Sequence, residues 1–418
     1  MTPPGIALPG NRWDLLAGRA PDVAPAVSVI VAHYEQPEQL ARCLAALAGQ
    51  DHPADRLEVI VADDGSVSEP VVPAGVRLVR QPDEGFRLAA VRNLGAAHAT
   101  GEVLVFLDAD TVPEPGFVGE LTRMPGLAPD VVAVGRRRHA DLAGVPPVAD
   151  VRTVVAGREL AEPAWLAEAY GRSRNLLDAD DRSYRHTIGA VLACSRLIFD
   201  ATGGFDETFR SYGGEDWEWT YRAWLRGALL AHVPEAVAWH DGPDAGARDD
   251  HDRVTRNAEA VLLADLIPVP GTRPRGLPTS HVDIAVTPPA DASPAASFVS
   301  VDSVIADVPG SVSVPAAELS VGSASLDRVR IHVEIVRPIR VGEGLRPLVE
   351  RVGREGLGTL TVLDDADRTL LRVRALRAVA REARWGRNDL FRRVSERADG
   401  IRPLDEEPDV AAYLGGWG

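Results

Sequence analysis

VLVFLDADTVP, Val103 to Pro113, is an apolar run that stops on two aspartates. A short continuous apolar stretch bounded by an acidic turn reads as a strand buried on both faces, the kind found inside a parallel sheet. Asp108 and Asp110 flank Ala109 just before Pro113, so the chain turns at the sheet edge with two carboxylates close together. Mg²⁺ and Mn²⁺ prefer oxygen ligands and leave positions for substrate phosphates, which makes such a pair a candidate diphosphate site bridged by a cation. Taken alone, D-x-D is also a common strand-end turn, and its surroundings decide its weight.

Upstream the same rhythm repeats. VSVIV, Val27 to Val31, precedes a helical pattern with Leu40, Leu44 and Leu47 on one face, and LEVIV, Leu57 to Val61, runs into Asp63, Asp64 and Gly65. A shorter strand at Val76 to Val79 leads to a helix carrying Leu88, Val91 and Leu94. Strands alternating with helices predict βαβ units, and acids at the carboxyl ends of the strands mark a binding crevice. Downstream, the Arg-, Pro- and Ala-rich stretch from Arg136 to Ser183 has weak periodicity, so no firm element is expected there and a mobile loop is. Regular patterning returns at TIGAVLACSR and GGFDETF, in a helix starting near Glu215, and in a strand pair, LLAHV and AVAWH, that ends at His240.

The chain has 418 residues, 45% hydrophobic and 25% charged, enough for two domains with sizeable cores. All 45 basic residues are arginine. Without lysine, Schiff-base and pyridoxal-phosphate chemistry and phosphate-binding P-loops are excluded. The net charge of −16 argues against extended nucleic-acid binding. Cys43 and Cys194 lie far apart and suggest no disulfide framework, which fits a reducing cytoplasm. The first residues lack a basic start followed by an apolar run, and no stretch reaches the roughly 18 to 20 apolar residues that span a bilayer. Membrane contact is therefore expected to be peripheral at most.

The ordered motifs VSVIVAHYEQPEQL, VADDGS, DEGFRLAAVRNLGAAHATGEVLVFLDADTVP and GGFDETFRSYGGEDWEWTYR resemble nucleotide-sugar glycosyltransferases of the GT-A fold. The nearest likeness is to the inverting family-two type, with features of the galactosyltransferase carboxyl-terminal motif, over about Ala26 to Gly242. The implied fold class is α/β: a Rossmann-like nucleotide-sugar-binding mixed sheet flanked by helices, plus a smaller α+β carboxyl-terminal domain. By the same resemblance, Ala32, His33, Tyr34 and Glu35 line the base and ribose pocket, although the family's common Pro-Thr-Tyr-Asn is kept here only at the tyrosine. Asp64, with Asp63, accepts from uracil or ribose. Arg87, Arg92 and Asn93 reach the nucleotide or diphosphate, guanidinium being a planar fork for phosphate, and Asp108 and Ala109 contact the donor.

Asp108, Asp110 and His240 are implied to hold Mn²⁺ or Mg²⁺, with Asp241 orienting the imidazole. Asp216 is the implied base and Glu215 its support or a contact for acceptor hydroxyls. Trp217, Trp219 and Trp224 divide between a sugar platform, with Trp217 foremost, and core. The implied donor is a UDP-sugar carrying a hexose or N-acetylhexosamine, and the acceptor is a saccharide, a lipid-linked saccharide or a natural product. A retaining transferase and a catalytically silent binding or assembly protein are the alternatives, and oligomeric state is open.

The domain expectation is an extension over 1–25, a glycosyltransferase domain over 26–267, a Pro-rich linker over 268–297 and an accessory domain over 298–418. In the last, VRIHVEIV alternates like a half-buried strand, and TLTVL with RTLLRV reads as a hairpin. Arg372, Arg374, Arg377, Arg381 and Arg384 are assigned to a helix whose arginine face is solvated or interdomain, and the tail from Arg402 is expected to be loose.

Overall fold

The computed structural model describes residues 3–211, 213–244, 253–315 and 327–416. The chain divides into two compact units, residues 3–224 with 228–262, and residues 225–227 with 263–418.

The first unit is built on β1 (Val27–His33), α1 (Pro37–Ala48), β2 (Leu57–Asp63), β3 (Arg77–Arg80), α2 (Leu88–His98), β4 (Val103–Asp108) and β5 (Thr111–Pro113). It continues through α3 (Phe117–Leu127), β6 (Val131–Ala140), α4 (Arg152–Val155), β7 (Glu159–Leu160), α5 (Ala164–Arg172), β8 (Val191–Ser195), α6 (Arg196–Thr202), α7 (Glu215–Leu225), β9 (Leu229–Asp241) and α8 (Arg253–Leu266). Among the described residues these strands form one sheet in the order β3-β2-β1-β4-β8-β6-β9-β5, with β7 on β6. β1 to β4 are mutually parallel, while β8 runs antiparallel to both β4 and β6. The mixed α/β class of the sequence reading is thus the class observed.

The continuous apolar runs become fully buried central strands, as parallel pairing between helical layers requires. Gly95 lets α2 lie against β1, since a Cβ there would run into Ile30. The parallel register puts His33 beside Asp63 and Ala32 beside Asp108, which gathers three strand tips at one edge.

Several expectations change. LLAHV and AVAWH are one strand, β9, whose register with β6 shifts at Gly135/Arg136, so the residues between them form a bulge rather than a turn. The 136–183 stretch supplies the end of β6, β7 and α5. It reads weakly because its elements are short, β7 having two residues and α4 four. The 1–25 segment belongs to the first unit: Leu8 and Leu16 are buried, and Asn11 bonds Leu176 and Leu230.

The second unit contains β10 (Ile284–Thr287), α9 (Pro294–Asp307), β11 (Ser311–Ser313), β12 (Ile331–Ile335), β13 (Ile339–Val341) and α10 (Leu345–Arg354). β14 (Thr359–Leu363), β15 (Thr369–Ala375), α11 (Leu376–Trp385), β16 (Arg393–Arg397), β17 (Ile401–Pro403) and α12 (Val410–Tyr413) complete it. Its main sheet has the order β11-β10-β12-β15-β14-β16, with the expected β14–β15 hairpin. Residues 268–297, expected as a linker, contribute the interior strand β10, whose four residues are all buried. Arg372 and Arg374 lie on β15 rather than the helix, and Arg377 and Arg381 are buried over Phe391, so no solvated arginine face forms. The tail is tied down where β17 pairs with β13. Among the described residues no helix is long and apolar enough to cross a membrane.

Candidate active site

The carboxyl ends of β1, β2 and β4 open onto a cavity of about 340 Å³ lined by His33, Tyr34, Asp64, Asp108 and Asp110. Phe86, Leu88 and Val91 form its apolar side. A few polar groups set in an apolar cleft is the usual composition of a small-molecule site.

The two aspartates that end β2 have different fates. Asp63 is fully buried and accepts from Ser66 Oγ (2.6 Å) and Arg80 Nε (2.9 Å), and it lies 2.7 Å from His33 Nδ1. Burial alone would raise its carboxyl, but Ser66, His33 and Arg80 hold it below the usual carboxylate range. It is an internal clamp rather than the ligand contact expected of it. His33 is fixed between that clamp and the Gln36 N–H and presents one edge to the cavity. Asp64 faces the cavity and is braced by Gln81 Nε2 (2.5 Å) and the Arg87 N–H (2.9 Å). Burial pushes its carboxyl up despite these bonds.

Other expected donor contacts are engaged elsewhere. Glu35 has a left-handed backbone (φ 52°) and turns its carboxylate to the Val67 N–H. The Arg87 guanidinium sits on Glu84 at 2.7 Å, and the Asn93 amide bridges Phe205 and Glu207. Ala109 is fully buried, its N–H donated to the Ala32 carbonyl. Tyr34 remains exposed at the cavity rim.

Arg92 departs most from expectation. Only 1% exposed, it donates from Nη1 to Glu215 (2.8 Å) and from Nη2 to Asp108 (2.9 Å), tying β4 to the start of α7. Gly189 leaves room for it, because a Cβ there would come within 2.7 Å of Nη1. Burial opposes its charge, and the carboxylates of Asp108, Glu215 and Asp216 more than restore it. A guanidinium held this way joins the donor edge to the acidic helix; it is not presented to a phosphate.

Glu215 is buried, and its carboxyl is pushed up to about 7, first by burial and then by the Asp216 charge, against the pull of Arg92. Asp216 accepts from the Gly189 and Trp217 N–H groups, and burial raises it as well. Trp217 is half-buried, whereas Trp219 and Trp224 are core residues, Trp219 packing on Phe199 and Phe205.

His240 Nε2 lies 3.5 Å from Asp110, and its Nδ1 is on the Gly242 carbonyl at 3.1 Å. Burial disfavours the Asp110 carboxylate, but His240, Arg137 and Thr111 hold its carboxyl below the ordinary range. Asp241, expected to orient His240, points away to Arg42 (2.6 Å) and the Leu142 N–H, because successive strand residues face opposite ways. The Gly242 carbonyl orients the imidazole instead. Asp108 is turned to Arg92, so among the described residues no three His, Cys, Asp or Glu side chains are drawn into one metal-binding group. The donor types still suit Mn²⁺ or Mg²⁺: two carboxylates at one cavity wall, with an imidazole facing one of them.

Sequence reasoning missed His139, which register places beside His240 with ring centroids 5.0 Å apart, and Gln81, which braces Asp64. It also missed Glu259 on α8, whose carboxyl is raised by burial and by Asp216. None stands in a motif; only strand register or helix packing brings them in.

A mixed sheet whose parallel strands end on acids, with an acidic helix between β8 and β9, is the α/β architecture anticipated above. Residues 28–193 match the profile of glycosyl transferase family 2, and residues 179–238 that of the N-terminal domain of galactosyltransferase. The first unit therefore carries a domain belonging to glycosyl transferase family 2. The chain is 29% identical over 266 residues to a chondroitin synthase of Escherichia coli, a match covering 58% of this chain and 38% of the relative. It is 27% identical to a hyaluronan synthase of Pasteurella multocida (62% and 29% covered) and 31% identical to a validoxylamine A glucosyltransferase of Streptomyces hygroscopicus subsp. jinggangensis (49% and 52% covered). The chain thus spans about a third to a half of the length of these relatives. Among solved structures, GalNAc-T7 with UDP, GalNAc and Mn²⁺ aligns at 19% identity, covering 53% of this chain and 44% of that one, with a TM-score of 0.41. The Pyrobaculum calidifontis mannosyltransferase PcManGT with GDP-Man and Mn²⁺ aligns at 20% identity, covering 62% and 69%, with a TM-score of 0.40.

Proposed function

We propose that the chain is a cytoplasmic, metal-dependent inverting glycosyltransferase that moves a hexose or N-acetylhexosamine from a UDP-sugar to an acceptor hydroxyl. The supporting observation is one cavity with Asp64 at one wall and Asp108 and Asp110 at another, linked by the buried Arg92 to the Glu215–Asp216 pair. A nucleoside diphosphate spans such a cavity with its base or ribose near Asp64 and its phosphates near the acidic pair. Asp108, Asp110 and His240 are the residues that would hold Mn²⁺ or Mg²⁺. Bound there, the cation supplies charge neutralisation to the departing diphosphate.

Asp216 accepts the proton of the acceptor hydroxyl as that oxygen attacks the anomeric carbon. Burial raises its carboxyl, which makes it a stronger base than an ordinary aspartate. Glu215, held by Arg92, fixes the start of the helix that carries this base. The polysaccharide synthases and the natural-product glucosyltransferase among the relatives support a saccharide or natural-product acceptor.

The test is calorimetric titration of UDP and of GDP, first with Mn²⁺ and then with a chelator. Selective UDP binding that disappears with the chelator is expected. Binding of neither nucleotide, or binding indifferent to the chelator, contradicts the donor assignment. Once a donor is known, the anomeric configuration of the product, read by NMR, tests inversion.

A further inference from the structure

The second unit has a cavity of its own, of about 430 Å³, between the stretch from Pro268 to Asp283 and the turn that leads into β11. The proposed transfer reaction does not use it. Arg273 and Arg275 both line it. The Arg273 guanidinium donates from Nη2 to the Pro309 carbonyl (2.9 Å). It is seated against Gly310 (φ 84°), where a Cβ would run into Nη1 and Cζ, so only glycine admits it. Pro309 and Gly310 are themselves part of the lining, which puts this guanidinium at the cavity wall. Arg275 is exposed and makes no hydrogen bond or ion pair among the described residues.

The consequence is a pair of uncompensated positive charges in a chain whose net charge is −16. Asp283, the carboxylate of the lining, is already taken by both arms of the buried Arg330 (2.9 and 2.8 Å). Asp265 accepts from the Ser280 N–H (2.6 Å) and faces His281. Elsewhere in the same unit exposed arginines sit on carboxylates: Arg346 on Glu350 at 2.8 Å, and Arg387 on Asp389 and Arg397 on Asp367 at 2.6 Å. Guanidinium keeps its charge at any ordinary pH, and its planar fork fits phosphate oxygens in pairs. Two forks suit a phosphate dianion, whereas a carboxylate occupies one. The rest of the lining is apolar, with Pro268, Leu277 (75% exposed) and Val312 (45% exposed). The cavity has room for more than a phosphate, and the additional space is beside apolar side chains.

We propose that this cavity binds an amphiphilic phosphate ester, its phosphate held by Arg273 and Arg275 and its apolar body laid along Pro268, Leu277 and Val312. A soluble organic phosphate and the headgroup of a phospholipid share this chemistry. The assignment rests on the second unit alone and stands apart from the glycosyltransferase reading. It also differs from the donor site in kind. There, carboxylates need a cation to receive a diphosphate; here the protein supplies the positive charge, so binding is independent of metal.

The test titrates octyl phosphate and inorganic phosphate into the full chain by calorimetry, with a chelator present to silence any cation-dependent nucleotide site. Octyl phosphate is expected to bind about ten-fold more tightly than inorganic phosphate, because only it reaches the apolar wall. Arg275→Gln, at an exposed position, should keep the parent's melting midpoint and lower the affinity for both phosphates about ten-fold, the scale of a charged hydrogen bond. Leu277→Ser should weaken octyl phosphate about three-fold and leave inorganic phosphate unchanged. Absence of octyl phosphate binding overturns the site, as does equal binding by the folded Arg273→Gln/Arg275→Gln double variant. Co-sedimentation with phosphatidylcholine vesicles, with and without phosphatidic acid, then separates the sources. Sedimentation that needs phosphatidic acid and is lost in Arg275→Gln supports the site with a lipid as its ligand. Arginine-dependent binding of octyl phosphate without sedimentation supports it with a soluble ester.

Discussion

The parallel half of the first unit's sheet and its mixed half build their sites by different means. In β1, β2 and β4 the strands run one way, so acids that end a strand in sequence meet at one edge in space. In β5, β6, β8 and β9 the directions are mixed, the parallel pair β6 and β9 lying between the antiparallel neighbours β8 and β5, and a bulge resets the register, so neighbours such as His139 and His240 come from segments about a hundred residues apart. The parallel half gathers its strand tips at the cavity proposed for the nucleotide. The mixed half holds a second cavity and, between β8 and β9, the helix α7 that carries the proposed base. Arg92 joins the two.

Asp216→Asn is the sharpest way to separate them. Transfer should fall on the order of 10²–10⁴-fold, while UDP binding in the parallel half is kept. An active variant, measured by product formation, moves the base to Glu215 or elsewhere. Asp110→Ala should abolish Mn²⁺-dependent UDP binding, and His240→Ala should weaken Mn²⁺ itself; calorimetry showing neither change removes the cation from this edge.

Arg92→Gln attacks the link between the halves. Removing one partner of a buried ion pair costs about 3–5 kcal/mol, read as a lowered denaturation midpoint. Arg92 also holds the Glu215 and Asp216 carboxyls down. Without it both rise, so a rate that needs ionised Asp216 should lose its acid limb at higher pH than in the parent. An unmoved pH profile in a folded variant reduces Arg92 to a strut.

Within the parallel half, Asp64→Asn and Asp63→Asn should part company. The first is expected to cost about ten-fold in UDP affinity, the scale of one hydrogen bond, at nearly constant stability. The second should lower stability and leave UDP affinity close to the parent's. Equal effects on affinity would mean that the clamp also reaches the ligand.

The smallest effect belongs to the mixed half. His232 is lowered to about 4 in the fold and returns to about 6.5 when unfolded. The unfolded chain therefore binds more protons between these values. The contribution is fully present above pH 6.5 and is lost as the pH falls toward 4. Thermal melts of His232→Phe should show a shallower acid loss of stability than the parent, and an identical slope would contradict the buried neutral imidazole.

The βαβ rhythm, the strand-end acids and the Glu215–Asp216 helix were legible because each is written in consecutive residues: a buried parallel strand is a continuous apolar run, and its tip follows it directly. The family likeness over the first half of the chain rests on the same contiguous motifs. The sequence by itself also excluded lysine chemistry, since composition needs no fold. It carried no sign that Asp63 turns inward while Asp64 lines the cavity, because alternation along an extended chain separates neighbours whose chemistry is the same. Nor could it show that Arg92 bridges two acids, that Asp241 faces away from His240, or that residues 268–297 hold an interior strand. Those outcomes depend on register, on helix packing and on partners far along the chain, and only the tertiary structure decides them.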